Sequence, residues 1–301
     1  MSLLLPPQNL PMGEEDSNMG NTVVESNAMA LDLLLEKMYR EGGYDFREYK
    51  RGTVTPRLQR RLDATGARTY LDYMEFLDTH PEEYLRIANE LTIKVSGFCR
   101  SLYTFQQIAR LVIPELVSYK RNREEPSLRF WSTACARGEE PYSIAILLAE
   151  FLGDNLKEFN ISIQATDISL WALGEAQAGI YSAKDIEGLP SAILERYFDR
   201  HGEGYAVRDD IKQMVSFSYF DLTSTIQPFV DIDCIFCCNI LISLQEPLQE
   251  RVLNMLYDSL ATPGYLVLGE VETPTDSLRG KLECLDIKAK IYKKAEGDEN
   301  V

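Results

Sequence analysis

Residues Leu128–Ala145, LRFWSTACARGEEPYSIA, leave this chain few choices of fold. The apolar run Leu128–Trp131 predicts a buried strand, and a turn with a single glycine, Gly138, follows it. After Glu139, Glu140 and Pro141 an apolar run with helical spacing begins. Pro141 suits the start of a helix, where its missing N–H costs nothing. A strand, a tight turn and a helix in this order open a nucleotide-binding α/β fold, with the ligand over the carboxyl end of the strand. Carboxylates in that turn repel phosphate. They suit a ligand with hydroxyls and a positive charge, such as S-adenosylmethionine.

From residue 128 onward strands and helices alternate. LRFWST, NISIQATDI, MVSFSYFDL, DIDCIFCCN and ATPGYLVLGE read as strands, with LDIKAKIYKKA as a last one. PYSIAILLAEFL, LWALGEAQAGIY and PLQERVLNMLYDSL read as helices. Such alternation predicts an α/β domain, a doubly wound and mostly parallel sheet with helices on both faces. Gly202 and Gly204 mark a turn inside a hairpin insertion at about 197–215. Residues 28–118 carry helical periodicity, as in Leu31-Leu34-Leu35-Met38, and form a small all-α domain. The charged stretch 119–127 reads as the linker, 128–293 as the larger domain, 1–27 as a disordered tail and 294–301 as a short tail.

Composition narrows the function. The net charge of −16 over 301 residues argues against general nucleic-acid binding. Leu3-Leu4-Leu5 runs at once into Pro6-Pro7, too short for a signal-peptide core, and no apolar run reaches spanning length. A cytoplasmic protein without membrane insertion is expected. Its cysteines, Cys99, Cys135, Cys234, Cys237, Cys238 and Cys284, show no disulfide framework. Cys234 and Cys237 have half-site spacing for a metal. They lie in an apolar strand where residues three apart face opposite ways, and no second pair completes the set, so no metal is expected. His80 and His201 stand beside no candidate nucleophile.

The polar residues at strand ends are Glu139, Glu140, Asp167, Asp221 and Asn239. An acid after the second strand, here Asp167, accepts from ribose hydroxyls in such folds. The same residue would equally cap the next helix.

Together these segments resemble the CheR-type chemotaxis receptor methyltransferases, from about residue 29 to 293. YDFREYKRGTVTPRLQRRL and LTIKVSGFCRSLYTF resemble the family's helical-domain segments. ACARGEEPYSIA, ATDIS, AQAGIY, RYF, VSFSYFDL, IFCCNILISL and PGYLVLGEVE fall in the family's order. The resemblance implies a Rossmann-like methyltransferase domain behind a small all-α domain. It implies S-adenosylmethionine as cofactor, S-adenosylhomocysteine as product, and methylation of glutamates on the cytoplasmic helices of chemotaxis receptors. A monomer is expected.

Carried over residue by residue, Arg100 matches an arginine that reaches the active site. Lys94, Ser96, Glu140, Asp167, Asp221, Leu222, Cys238 and Asn239 fall on cofactor-contacting positions. Arg57, Arg60 and Ser243 fall on the acceptor side, the two arginines within a basic group that includes Lys50, Arg51, Arg61 and Arg68. Departures are concentrated here. Lys94 and Asp221 each replace an asparagine, Ser96 a threonine and Cys99 a phenylalanine. Arg137 replaces a small polar residue, Cys238 an arginine, and Ser243 an active-site tyrosine. An alternative reading follows from them, a relative with weakened or lost catalysis that acts as a regulatory or partner-binding module. A small-molecule methyltransferase is a third reading, and the helical domain, suited to a protein substrate, argues against it.

Overall fold

The computed structural model describes residues 27–92 and 96–295. They divide into two units, 27–47 with 55–87, and 48–54 with 88–295. Helices come first: α1 (27–37) passes into a wide turn, Met38–Gly42, and is followed by α2 (Arg51–Thr65), α3 (Tyr70–Thr79) and α4 (Glu83–Leu91). Helical spacing selects the buried side chains, Leu31, Leu34, Leu35 and Met38 in one run and Leu58 and Leu62 in another. Helix α3 starts where it does because of reciprocal capping. The Thr69 hydroxyl accepts from the Asp72 N–H at 3.1 Å, and the Asp72 carboxylate accepts from the Thr69 N–H at 3.0 Å. The buried carboxylate of Glu83 takes the Arg61 guanidinium at 2.6 Å and the Tyr73 hydroxyl at 2.7 Å.

In the second unit α5 (Leu102–Gln107) runs through another wide turn, Ile108–Val112, into α6 (Ile113–Asn122). Residues 119–122, expected in a linker from their charge, complete this helix instead. Lys120 explains the difference: it is buried, and its ammonium lies 2.8 Å from the buried Asp233. A charged stretch thus conceals a packed helical face.

The chain then alternates through β1 (Ser127–Thr133), α7 (Glu139–Leu152), β2 (Asn160–Asp167), α8 (Leu170–Ala178), β3 (Ile180–Tyr181) and α9 (Ser191–Tyr197). It continues through β4 (Phe198–His201), β5 (Gly204–Val207), α10 (Asp209–Lys212), β6 (Val215–Tyr219), β7 (Ile232–Cys237) and α11 (Glu246–Ser259). It ends in β8 (Leu260–Leu268), β9 (Leu282–Asp286) and β10 (Ile291–Lys294). The main sheet is seven-stranded, in the order β6-β2-β1-β7-β8-β10-β9. Strands β6 to β8 of that order pair in parallel, while β10 runs antiparallel to β8 and β9. Every residue of β7 is buried, as expected of a central parallel strand covered on both faces. The order reverses at β1, with β2 on one side and β7 on the other, and this switch point is where such sheets bind ligands. A small antiparallel sheet, β3-β5-β4, contains the expected hairpin, with Gly202 in its turn.

Two further elements differ from the sequence reading. LWALGEAQAGIY ends as a helix at Ala178, because Gly179 takes a left-handed C-cap (φ 61°) and sends Ile180 and Tyr181 into the small sheet. The expected single last strand is a hairpin. The Asp286 carboxylate accepts from the Lys288 and Ala289 N–H groups at 2.9 and 2.8 Å, folding the chain back between β9 and β10. No helix among the described residues is long and apolar enough to cross a membrane.

Removing the shared carboxylate in Glu83→Ala leaves the Arg61 charge without this partner. It should lower stability by about 3 kcal/mol, read from the midpoint of urea unfolding.

Candidate active site

Strand β1 ends at Thr133, and residues 134–138 turn the chain sharply into α7. Ala134, Ala136 and Gly138 all adopt left-handed backbone, with φ of 49°, 49° and 88°. Glycine is needed at 138 for a second reason. A Cβ there would stand 2.9 Å from the Ala176 Cβ and 3.1 Å from the Phe217 ring, so α8 and β6 close against the bare backbone. The turn is tied to β2 by the Cys135 N–H, which donates to the Thr166 carbonyl at 2.9 Å.

Asp167 ends β2 and is 7% exposed. Its Oδ2 accepts from the Ala136 N–H at 2.9 Å and its Oδ1 from the Ser169 N–H at 2.8 Å. One carboxylate therefore joins the β1 turn to the β2 end. The capping of α8 falls to Ser169, whose hydroxyl accepts from the Ala172 N–H at 3.2 Å. Burial raises the Asp167 pKa, and the backbone donors oppose that rise.

Glu140, in the first turn of α7, accepts from the Ser132 hydroxyl at 2.7 Å. Desolvation pushes its pKa up to about 6, and the Glu272 charge adds to this while Ser132, Cys238 and Arg100 oppose it. Its neighbour Glu139 is also raised by burial, and its Oε2 has no hydrogen-bond partner among the described residues. Burial likewise drives the Cys238 thiol far above its ordinary range, with Glu140 contributing, which makes it a poor nucleophile.

At the end of β7, Asn239 adopts left-handed backbone (φ 62°). The buried Glu272 fixes this corner. Its Oε2 accepts from the Asn239 and Gly269 N–H groups, both at 2.8 Å, and its Oε1 from the Ile242 N–H at 3.2 Å. Gly269 is required by that approach, since a Cβ would lie 2.6 Å from Glu272 Oε2 and 2.8 Å from the Asn239 nitrogen. After β6, the Asp221 Oδ1 accepts from the Thr223 N–H at 2.8 Å and shapes the loop.

These strand ends surround one open cavity of about 940 Å³. Ser96, Arg100, Glu140, Asp167, Asp221, Leu222, Cys238 and Asn239 all line it. Arg100 is the one cation lining it among the described residues. The two residues before it are anchored. The Phe98 ring packs edge-on against Tyr181 and Phe198, with centroids at 4.8 and 5.4 Å, and the Cys99 N–H donates to the Ser143 hydroxyl at 2.9 Å. Lys94 lies outside the described residues. Ser243 is buried in a short helical turn, Leu241–Ser243, and does not line the cavity. Arg57 and Arg60 lie on α2, Arg57 half-buried and Arg60 exposed.

Other residues enter that sequence reasoning passed over. Glu272 lies in the quoted PGYLVLGEVE segment, but only the folded backbone shows what it collects. Tyr49, Thr92 and Ile240 also line the cavity. Arg137, noted in the sequence only as a departure, pairs with Asp185 through both nitrogens at 3.2 Å, and Tyr181 donates to its carbonyl at 2.7 Å. That pairing holds the Asp185 carboxyl down at about 2.

Two domain models of one family match this chain: "CheR methyltransferase, all-alpha domain" over residues 29–92 and "CheR methyltransferase, SAM binding domain" over residues 94–291. The chemotaxis protein methyltransferase of Borreliella burgdorferi is 30% identical over 268 residues, 88% of this chain and 93% of that protein. Chemotaxis protein methyltransferase 2 of Vibrio cholerae is 32% identical over 240 residues, 78% of this chain and 82% of its own. The chemotaxis protein methyltransferase of Klebsiella aerogenes is 34% identical over 245 residues, 78% of this chain and 80% of its own.

The raised Glu140 carboxyl sets a stability test. Its folded pKa exceeds the unfolded value, so the unfolded chain gives up this proton first and burial costs stability above about pH 6. Glu140→Gln should stabilise the ligand-free protein by up to about 2 kcal/mol at pH 7.5, and by little below pH 4.5. Thermal unfolding at the two pH values reads the difference.

Proposed function

The chain belongs to the CheR methyltransferase family, and we propose that it methylates glutamate side chains on the cytoplasmic helices of chemotaxis receptors. The observation that carries this reading is the cavity at the carboxyl ends of β1, β2, β6 and β7, walled by carboxylates around the Arg100 cation. The chemistry of this donor set fits S-adenosylmethionine, the family's cofactor. Acids that would repel a phosphate welcome a ligand with a sulfonium, an ammonium and ribose hydroxyls. Asp167, Glu140, Asp221, Leu222 and Asn239 would hold it, with Ser96 and Cys238 completing the wall.

When bound, S-adenosylmethionine would supply an electrophilic methyl group on a positive sulfur, with a neutral thioether as its leaving group. The protein has little proton chemistry to perform. A glutamate acceptor is already ionised at neutral pH, its ordinary pKa being about 4.3. What the chain contributes is alignment and exclusion of water. Arg100 orients the acceptor carboxylate by a charge-assisted contact. Glu140 would offer its negative charge to a cationic ligand, whose own charge would oppose the burial that raises this carboxyl in the free protein.

The basic face of α2, with Arg57 and Arg60, is read as the surface that steers toward acidic receptor helices. A monomer in the cytoplasm belongs to the same reading. A second reading, cofactor binding without turnover, draws on Cys238, which cannot supply the forked donors of an arginine, and on Asp221, which when ionised only accepts. A radiolabelled methyl-transfer assay on receptor cytoplasmic fragments decides between them. Incorporation into glutamate as a base-labile ester is expected, and cofactor binding without incorporation would favour the second reading.

Two further outcomes are expected. Arg100→Ala should lower turnover about 100-fold with a much smaller change in S-adenosylhomocysteine affinity by calorimetry. An equal loss in both would remove the assignment. Charge reversal at Arg57 and Arg60 should weaken binding to the receptor fragment at low salt, an effect that fades as salt is raised.

A further inference from the structure

Tyr49 reaches the cavity from far earlier in the chain than the strand ends that form most of its wall, and the fold fixes its placement closely. Residues 48–50 form a short antiparallel pairing with residues 243–245, centred on Tyr49 and Leu244. The Lys50 N–H donates to the Ser243 carbonyl at 2.8 Å, and the Gln245 N–H to the Glu48 carbonyl at 2.9 Å. Tyr49 and Leu244 thus form the close, non-hydrogen-bonded pair of an antiparallel ladder. Side chains reinforce the contact. Gln245 Nε2 donates to the Tyr49 carbonyl at 3.2 Å, and Lys50 Nζ to the Ile242 carbonyl at 3.0 Å. Arg251 pairs with Glu48, its Nη1 at 3.0 Å.

The partner segment is itself immobilised. Glu272 holds the N–H groups of Asn239 and Ile242 just upstream. Tyr49 is therefore positioned against the same rigid corner that carries Asn239, and it lines the cavity with Arg100, Asn239 and Ile240. Its chemistry complements theirs. Methyl transfer to a carboxylate needs the acceptor oriented without being neutralised. A phenol donates a hydrogen bond and carries no charge, while its ring keeps water away.

From this placement we infer that Tyr49 positions the acceptor carboxylate, sharing that task with Arg100. The inference rests on the reading that the acceptor is a glutamate side chain. Arg100 supplies the charge, and Tyr49 supplies direction at one oxygen. The role falls on the acceptor and leaves the cofactor alone, which separates it from the work of Asp167 and Glu140.

The test uses the full chain and Tyr49→Phe, which keeps the ring and deletes the hydroxyl. With a soluble receptor cytoplasmic fragment as acceptor, kcat should fall about tenfold, with the KM for S-adenosylmethionine and the Kd for S-adenosylhomocysteine within twofold of wild type. Tyr49→Ala, which also opens the wall to water, should fall further, with its folding checked by thermal unfolding. An unchanged kcat in Tyr49→Phe, or an equal loss of S-adenosylhomocysteine affinity, overturns the inference. Should the wild type transfer no methyl at all, the proposed function fails and Tyr49 is judged separately. Affinity of the S-adenosylhomocysteine-loaded protein for the fragment should then drop several-fold in Tyr49→Phe, and an unchanged affinity overturns the role of Tyr49.

Discussion

One carboxylate, that of Asp167, decides whether this site exists. It accepts from the Ala136 N–H on one side and the Ser169 N–H on the other, so the turn after β1 and the entry to α8 share a single anchor. The turn needs that anchor because it is intrinsically poor in conformational preference. Two alanines in left-handed backbone are unfavourable conformations that the surroundings must impose. Gly138 then lets α8 and β6 close behind the turn. Without the bridge, the cavity wall formed by Ala134–Ala136 has little reason to keep its shape.

The electrostatics follow from burying acids together. Glu139, Glu140, Asp167 and Glu272 all sit near the carboxyl end of the sheet, and burial raises the first three. Backbone donors and hydroxyls compensate unevenly. Glu272 collects N–H groups, and Asp167 does the same. Glu140 has a hydroxyl from Ser132, and Glu139 keeps an oxygen without a hydrogen-bond partner among the described residues. Of these acids Glu140 and Asp167 line the cavity, and there a cationic ligand would offset part of the cost of burial. The free protein thus holds a cost that such a ligand relieves.

Much of this was legible in the sequence, and the reasons for the remainder are physical. Strand, turn and helix at Leu128–Ala145 declare themselves by apolar spacing and by Pro141. Asp167, Glu140 and Asn239 are visible because strand ends are where an alternating α/β chain puts its polar residues. The helix around Lys120 was hidden, since a buried ion pair and a solvated linker share a composition. The last hairpin was hidden because its turn depends on Asp286 gathering N–H groups, which apolar alternation does not report. Glu272 and Tyr49 lie in segments that the resemblance marked, but what each of them meets is set by backbone that only folding brings near. Ser243 is buried, which its place in the chain did not announce.

The loop from Asn239 to Gln245 is pinned from two directions, by Glu272 at one end and by residues 48–50 at the other. Such a loop has a fixed length. Adding or deleting one residue between the pins would turn the Leu244 side chain to the opposite face, or draw Asn239 out of its left-handed corner. A substitution in this stretch exchanges a side chain and leaves the pinned backbone path intact, whereas a change in its length must break one of the pins.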